Sequence, residues 1–127
     1  MFVSIYRPDV KVMIHDCEGS ISLADLLLAN QTWFGHEMFD STLPVVWDMH
    51  DYPLTMGIDE LRNAYAMARS ALGERKRQGG RTGWVHSTAL VRAMIEVVRD
   101  EFDWGSDWET FDSRDAALEW CLKADNR

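Results

Sequence analysis

The sequence predicts one α/β domain in which a mixed sheet of about five strands packs against about four helices. Two short segments at the start of the chain alternate polar and apolar residues, which suits a β-hairpin. A helical pattern and then three units of strand and helix follow this hairpin. Because parallel strands need such crossover connections, we expect a parallel or mixed sheet with helices packed on it.

The predicted hairpin comprises strands over Phe2 to Tyr6 and Val10 to Asp16. Apolar residues favour one phase of the second strand, so we expect one of its faces to be wetter than the other. Ser22 and Asp25 have the spacing of a capping box, which opens a helix. The apolar spacing predicts that this helix runs to about Phe39.

The middle of the chain supplies the predicted central strand. Val45 to Trp47 is a continuous apolar segment that ends in Asp48. Segments of this kind are typical of strands covered on both faces. An irregular connection over residues 49–56 follows, and the next helix is expected to begin near Gly57.

Two further units of strand and helix complete the prediction. A strand over Gly83 to His86 leads into a helix that begins near Thr88, and a strand over Trp108 to Phe111 leads into a helix capped by Ser113. Without internal repeats or low-complexity segments, residues 1–127 are predicted to form a single domain.

The six tryptophans lead to two expectations. Those at helix or strand positions should face the core; they are Trp33, Trp47, Trp84 and Trp120. Trp104 and Trp108 flank a glycine turn among acidic residues, where a contact surface and the edge of the core are equally plausible.

Charge and composition exclude several classes of function. The formal net charge is −8, so phosphate backbones and anionic membranes repel the chain and nucleic acid is a poor partner. Cys17 and Cys121 form no C-x-x-C pair, which argues against a zinc site or a redox motif. Because the first residues lack a long apolar segment, we expect no membrane insertion and a cytoplasmic location.

The order of elements and two local segments resemble the STAS or SpoIIAA-like family of bacterial anti-sigma-factor antagonists and their relatives. Residues 45–48, VVWD, are similar to the family's central strand, which ends in an acidic residue before a functional loop. Residues 111–120, FDSRDAALEW, are similar to its closing strand and helix. The resemblance covers nearly the whole chain and implies a SpoIIAA-like fold with a role in protein interaction.

In signalling members of that family, a partner kinase phosphorylates a serine that stands just before a glycine at the start of the helix after the central strand. Here Met56 precedes Gly57, so the acceptor position holds methionine and only the neighbouring Thr55 carries a hydroxyl. Thr55 is therefore the candidate for phosphorylation. A helix start also needs a side-chain acceptor, and we interpret Thr55 first as that N-cap.

Histidines and carboxylates occur where predicted strands end. Parallel strands place such groups at one edge of the sheet, so a cluster is expected there from Asp48, His50, Asp51, Thr55 and His86. Two histidines and two carboxylates could bind a metal or share a proton. Their spacing matches no ligand pattern such as H-E-x-x-H, so we predict no metal, no cofactor and no catalytic residue.

Three functional hypotheses remain open. The first is a non-enzymatic domain that contacts an unidentified protein, or a second copy of the chain, through the loop after the central strand; its predicted binding residues are Asp48, His50, Asp51, Tyr52, Thr55, Met56, Gly57 and Ile58. The second is a domain that binds a small apolar molecule or lipid in a cavity lined by aromatic rings and by Met13, Met38, Met56 and Met67. The third is an enzyme that uses His50 with Asp48 or Asp51. The hairpin edge at Phe2 to Tyr6 is a natural site for pairing.

Overall fold

The computed structural model of the chain describes residues 1–40, 42–72, 80–101 and 108–123. Within these residues it forms a five-stranded mixed sheet and four helices, which confirms the predicted α/β architecture. In chain order the elements are β1 (Phe2–Arg7), β2 (Val12–Cys17), α1 (Leu23–Phe34), β3 (Val45–Asp48), α2 (Ile58–Leu72), β4 (Thr82–Val85), α3 (Ala89–Glu101), β5 (Trp108–Phe111) and α4 (Arg114–Lys123).

The strands lie in the sheet in the same order as in the chain. β1 and β2 form the antiparallel hairpin, and β2 to β5 are parallel neighbours. β3 is the middle strand, and all four of its residues are buried, as its apolar sequence predicts. The carboxyl ends of β2 to β5 therefore meet at one edge. We call this edge, with the loops that follow Cys17, Asp48, Val85 and Phe111, the carboxyl rim.

Each face of the sheet has its own core. The helices α1, α2 and α3 cover one face, where Trp47 and Trp84 are buried. Crossovers of one hand between successive neighbours keep these helices on the same side. The last helix, α4, covers the opposite face, where its Ala117 and Cys121 pack with Val46.

Aromatic rings line the face under the first three helices. The rings of Trp47 and Trp84 are stacked, with centroids 4.9 Å apart, and the Trp108 ring lies 5.0 Å from that of Trp84. Trp33 and Trp108 are also buried, so Trp108 belongs to the core. Trp104 lies outside the described residues.

Trp120 differs from the other tryptophans predicted to face the core, because it is only partly buried. The guanidinium carbon of Arg81 lies 4.6 Å from the centroid of its ring. A cation over the ring face is attracted by the negative π-surface, which allows this tryptophan to remain at the border of the core.

The expectations for the end of α1 and for the faces of β2 are wrong. The first helix ends at Phe34: the Gly35 N–H closes the last helical bond, to the Gln31 carbonyl at 3.0 Å, and the next N–H, of His36, turns back to the Trp33 carbonyl at 3.0 Å. Phe39 still packs against Phe34, with ring centroids 5.4 Å apart, so its apolar character reflects this turn and not a longer helix. The predicted capping box of Ser22 and Asp25 is confirmed.

The other wrong expectation concerns β2, which has no wet face. Val12 packs on the α4 side and Met13 on the α1 side, and both are buried. Alternation suggested a half-exposed strand, but β2 lies between β1 and β3 with helices over both of its faces.

Among the residues that the structure describes, no helix is both long and apolar enough to cross a membrane.

Candidate functional site at the carboxyl rim

A charged cluster lies at the carboxyl rim and consists of Asp16, Asp48, His50 and Arg114. Asp16 on β2 and Asp48 on β3 are direct neighbours in the parallel register, so their carboxylates stand side by side. The Asp48 side chain is only 4% exposed. Two adjacent carboxylates, one of them buried, need a nearby cation, because an uncompensated charge in such a place is strongly unfavourable.

Arg114, the first residue of α4, supplies that cation. Its Nε donates to Oδ2 of Asp48 at 2.6 Å, and its Nη2 donates to Oδ1 of Asp16 at 2.7 Å. One planar guanidinium thus bridges two strands, which the fork of donors in arginine allows. The start of α4 is thereby tied to the ends of β2 and β3.

His50 completes the cluster and has an unusual backbone. Its φ is 54°, in the left-handed region, where a residue with a side chain costs about 1–3 kcal/mol. The N–H of His50 donates to Oδ1 of Asp48 at 3.1 Å, and its carbonyl accepts from the Ser87 N–H at 2.9 Å. These two bonds hold the strained turn.

The imidazole of His50 lies between the two carboxylates. Its Nε2 is 2.6 Å from Oδ1 of Asp16, and its Nδ1 is 3.5 Å from Oδ1 of Asp48. Since a carboxylate oxygen accepts, Nε2 carries the proton in the shorter contact. The His50 side chain is 43% exposed, so this charged cluster reaches the surface.

The cluster has the donor set of a metal site but already contains its own cation. One ligand atom each from Asp16, Asp48 and His50 lies within 4.8 Å of the others. An added metal ion would have to displace the guanidinium of Arg114 from both carboxylates. Both nitrogens of His50 face carboxylates as well, so the arrangement favours a structural brace over proton transfer.

His86, which the sequence places with this cluster, has a separate structural role. It is buried, and its Nδ1 accepts from the Thr88 N–H at 2.9 Å. The proton must then be on Nε2, which lies 2.7 Å from the Tyr52 carbonyl and donates to it. Both ring nitrogens are satisfied by backbone groups, so His86 anchors the loop after β3.

The loop after β3 alternates between exposed and covered residues. Asp51, Pro53, Thr55 and Gly57 are exposed; Tyr52 and Leu54 are partly buried, and Met56 is buried. Leu54 forms a parallel bridge with Ile21, the residue before the cap of α1. The loop is therefore an extended segment that presents every second residue to solvent.

The backbone of this loop is held from within. The Met49 N–H donates to the Val85 carbonyl at 3.0 Å, and the Ile21 N–H donates to the Pro53 carbonyl at 2.9 Å. The Thr55 N–H donates to the Ile21 carbonyl at 2.8 Å. Both neighbouring segments at the rim, before α1 and after β4, thus fix the path of the loop.

Thr55 is not the N-cap of α2. That helix begins at Ile58, and its first backbone bond runs from the Leu61 N–H to the Gly57 carbonyl, so Gly57 holds the cap position. The Thr55 hydroxyl donates to the Ile21 carbonyl at 3.0 Å. The sequence signal for a cap was misleading because a cross-loop partner, 34 residues away, takes the hydroxyl.

The structure thus brings together only part of the predicted cluster. Asp48 and His50 meet, Asp51 and Thr55 lie along the exposed side of the loop, and Ile58 opens α2 with a partly buried side chain. Sequence reasoning missed Asp16 and Arg114 as members. The strand pairing could have indicated Asp16, whereas Arg114 is 66 residues from Asp48 and nothing local connects them.

The four methionines proposed to line a ligand cavity differ widely in burial. Met13 and Met56 are buried in the core, while Met38 and Met67 are 48% and 55% exposed. Methionine here fills space in the core or lies on the surface.

No family model, curated protein or solved structure matches this chain. The geometry of the carboxyl rim is therefore the main guide to function.

Proposed function

We propose that this chain is a non-enzymatic protein-interaction domain, of the kind that the resemblance to the STAS or SpoIIAA-like family implies. Its docking surface is formed by the exposed residues of the loop after β3 and of the first turn of α2. We call this the rim surface; it comprises Asp51, Pro53, Thr55, Gly57, Asp59 and Glu60. The observation that carries the proposal is that the loop is fully exposed on one side while its backbone is bonded on the other.

A loop held in this way is suited to binding. Association normally costs free energy because loops and side chains become ordered at the interface. Here the bonds of Ile21 to Pro53 and Thr55 already define the path of the backbone. The strained His50, locked against Asp48, defines where the loop leaves the sheet. The backbone of the loop is therefore already ordered in the folded chain, so binding a partner requires little further loss of conformational entropy.

The charge of the rim surface indicates the chemistry of the partner. Asp51, Asp59 and Glu60 are exposed, and Asp112 and Asp115 are exposed after β5 at the same rim. Asp59 has a local partner in Arg62, 2.6 Å away. Arg114 offsets only one of the two carboxylate charges of the charged cluster, so the acids named here and the remaining carboxylate charge together supply the field at the rim. Such a field favours and steers a partner that presents lysine or arginine side chains.

This proposal does not require the phosphorylation known from the resembling family. Met56, at the acceptor position, is buried beneath the loop, and Thr55 is exposed with its hydroxyl bonded to Ile21.

Cys17 and Cys121 are buried thiols, which suits the reducing cytoplasm, where we expect the domain to act.

The test is affinity capture from the cells of origin with a rim variant and a matched control. Asp51→Lys with Gly57→Arg changes the charge of the rim surface by +3, and a Cβ at Gly57 would meet no atom within 4 Å. Glu37→Lys with Thr42→Arg makes the same change in charge at exposed positions near the opposite edge of the sheet.

We expect the native chain and the control to retain the same protein, identified by quantitative mass spectrometry, and the rim variant to lose it. Purified components should then reproduce the loss, and salt should weaken the native complex because the contact is electrostatic. Retention by the rim variant, or loss from the control as well, contradicts the proposed surface. Equal unfolding temperatures of the three proteins exclude a folding defect.

A further inference from the structure

A second surface lies at the other side of the sheet, where β1 forms the edge among the described strands. Met1 and Glu18 exchange backbone bonds, with 2.7 Å from the Glu18 N–H to the Met1 carbonyl. Bonded pairs alternate along an antiparallel ladder, so Val3 and Ile5 direct their backbone groups to β2. The N–H and C=O groups of Phe2, Ser4 and Tyr6 therefore point away from the sheet.

This edge lacks the features by which edge strands normally avoid pairing. Residues 2–6 contain no proline, lysine or other charge, and each β1 residue has one partner in β2, so the strand has no bulge. Val3 and Ile5 are 38% and 41% exposed, although both are apolar. A regular, uncharged edge with exposed β-branched residues is a template for another strand.

We infer that β1 pairs with β1 of a second copy of this chain, antiparallel about a two-fold axis at Ser4. This register places Phe2 opposite the partner's Tyr6 and Ser4 opposite the partner's Ser4, and in both pairs the backbone groups face the partner. Each of these pairs can exchange two hydrogen bonds. In any other antiparallel register that pairs the outward-facing backbone groups with one another, fewer residues of the two β1 strands lie side by side.

The side chains suit the same register. Val3 lies opposite the partner's Ile5, and the symmetry repeats this contact, so the exposed apolar residues cover one another. An interface around a two-fold axis uses the same patch twice and must be self-complementary. Val3 and Ile5 meet this condition because they are equally spaced on either side of Ser4.

Charge at the two ends of β1 supports a second copy over another protein. At the Met1 end Asp25, whose carboxylate lies 3.4 Å from the amino terminus, and the exposed Glu18 outnumber the single positive charge of that terminus. The other end carries Arg7 and Lys11, both exposed. Antiparallel pairing of identical strands brings the basic end of each copy to the acidic end of the other. The pair between Arg7 and Asp9 is solvent-exposed, so Arg7 can exchange partners at little cost.

Sedimentation or light scattering across a concentration series tests the inference and its register. Val3→Lys with Ile5→Lys places lysine opposite lysine twice and should give a monomer. Val3→Glu with Ile5→Lys places glutamate opposite lysine twice and should restore the dimer. Val97→Lys, at a 45% exposed position of α3, is the control and should remain dimeric.

A native chain that stays monomeric into the millimolar range overturns the inference, as does a dimer that survives the double lysine change. Failure of the glutamate and lysine variant to dimerise refutes the register. Thermal unfolding of every variant identifies one that has lost its fold.

Cross-linking is an independent measurement. In the proposed register Val3 and the partner's Ile5 form a non-bonded pair with Cα atoms about 4.5 Å apart, within the disulfide range of about 4.4–6.8 Å. Oxidising a mixture of Val3→Cys and Ile5→Cys proteins should therefore give a covalent dimer that joins one of each. Equal cross-linking of either protein alone contradicts the register.

Discussion

Replacing His15 by phenylalanine should flatten the pH dependence of stability below neutrality. His15 is fully buried on β2, with its ring centroid 4.2 Å from that of Trp47. Its Nδ1 is 2.8 Å from the Ser4 hydroxyl, and within the described part of the chain its Nε2 has no hydrogen-bond partner. Burial lowers the pKa of His15 from 6.5 to about 3, because the charged ring would lose its hydration.

The sign of the effect follows from the two pKa values. The unfolded chain takes up a proton on His15 as the pH falls through 6.5, whereas the folded chain keeps the ring neutral until the pH approaches 3. The stability that His15 contributes is therefore present above pH 6.5 and is lost on acidification. Between about pH 7.5 and about pH 5 this loss amounts to about 2 kcal/mol in the free energy of unfolding.

The assay is urea unfolding of the native chain and of His15→Phe over that pH range, followed by tryptophan fluorescence. Other titrating groups contribute similarly to both proteins, so the difference between them isolates His15. The stability of the variant relative to the native chain should rise by about 2 kcal/mol from about pH 7.5 to about pH 5. His15→Gln, which also cannot titrate but keeps a polar side chain, should change the pH dependence in the same way. If native and variant stabilities change in parallel with pH, the buried neutral histidine is refuted.

Two further predictions concern α4. Arg114→Met leaves the carboxylates of Asp16 and Asp48 without their cation and should lower the free energy of unfolding by about 2–4 kcal/mol, less than for a fully buried pair because Arg114 is one-third exposed. The control, Lys123→Met, removes only an exposed pair with Glu119 and should change the free energy of unfolding by under about 0.5 kcal/mol in the same urea titration. Equal effects of the two substitutions would contradict a stabilising role of Arg114. Gly83→Ala would place a Cβ 3.2 Å from Cβ of Ala117, so we expect a cost of about 1–3 kcal/mol and a lower unfolding temperature. An unchanged temperature would mean that α4 moves away without cost.

Much of the fold could be predicted because its signals are local. The continuous apolar segment of β3 indicated that this strand is central, and the capping box of Ser22 and Asp25 predicted the start of α1. The end of α1 was misjudged because apolar residues after Gly35 keep a helical spacing while packing in a turn. The spacing of apolar residues cannot distinguish a longer helix from a helix followed by a turn, because Phe39 is covered in both.

The candidate site was only partly predictable. His50 and Asp48 were found because they follow a strand that the sequence marks as central. Asp16 and Arg114 come from distant segments, and their contact depends on α4 crossing the face opposite the other helices. The separate role of His86 likewise depends on the path of the loop above it, to which it is bonded through the Tyr52 carbonyl.

By itself, the sequence determined which segments become strands and helices, the parallel order that crossovers impose, and the edge of the sheet where polar residues collect. Only the tertiary structure decided which of those residues share a charged cluster, which satisfy backbone groups and which face solvent. The physical reason is range: hydrophobic periodicity and capping act within a few residues. Charge pairing and loop anchoring at the rim join groups that come close only after the sheet and its two cores have formed.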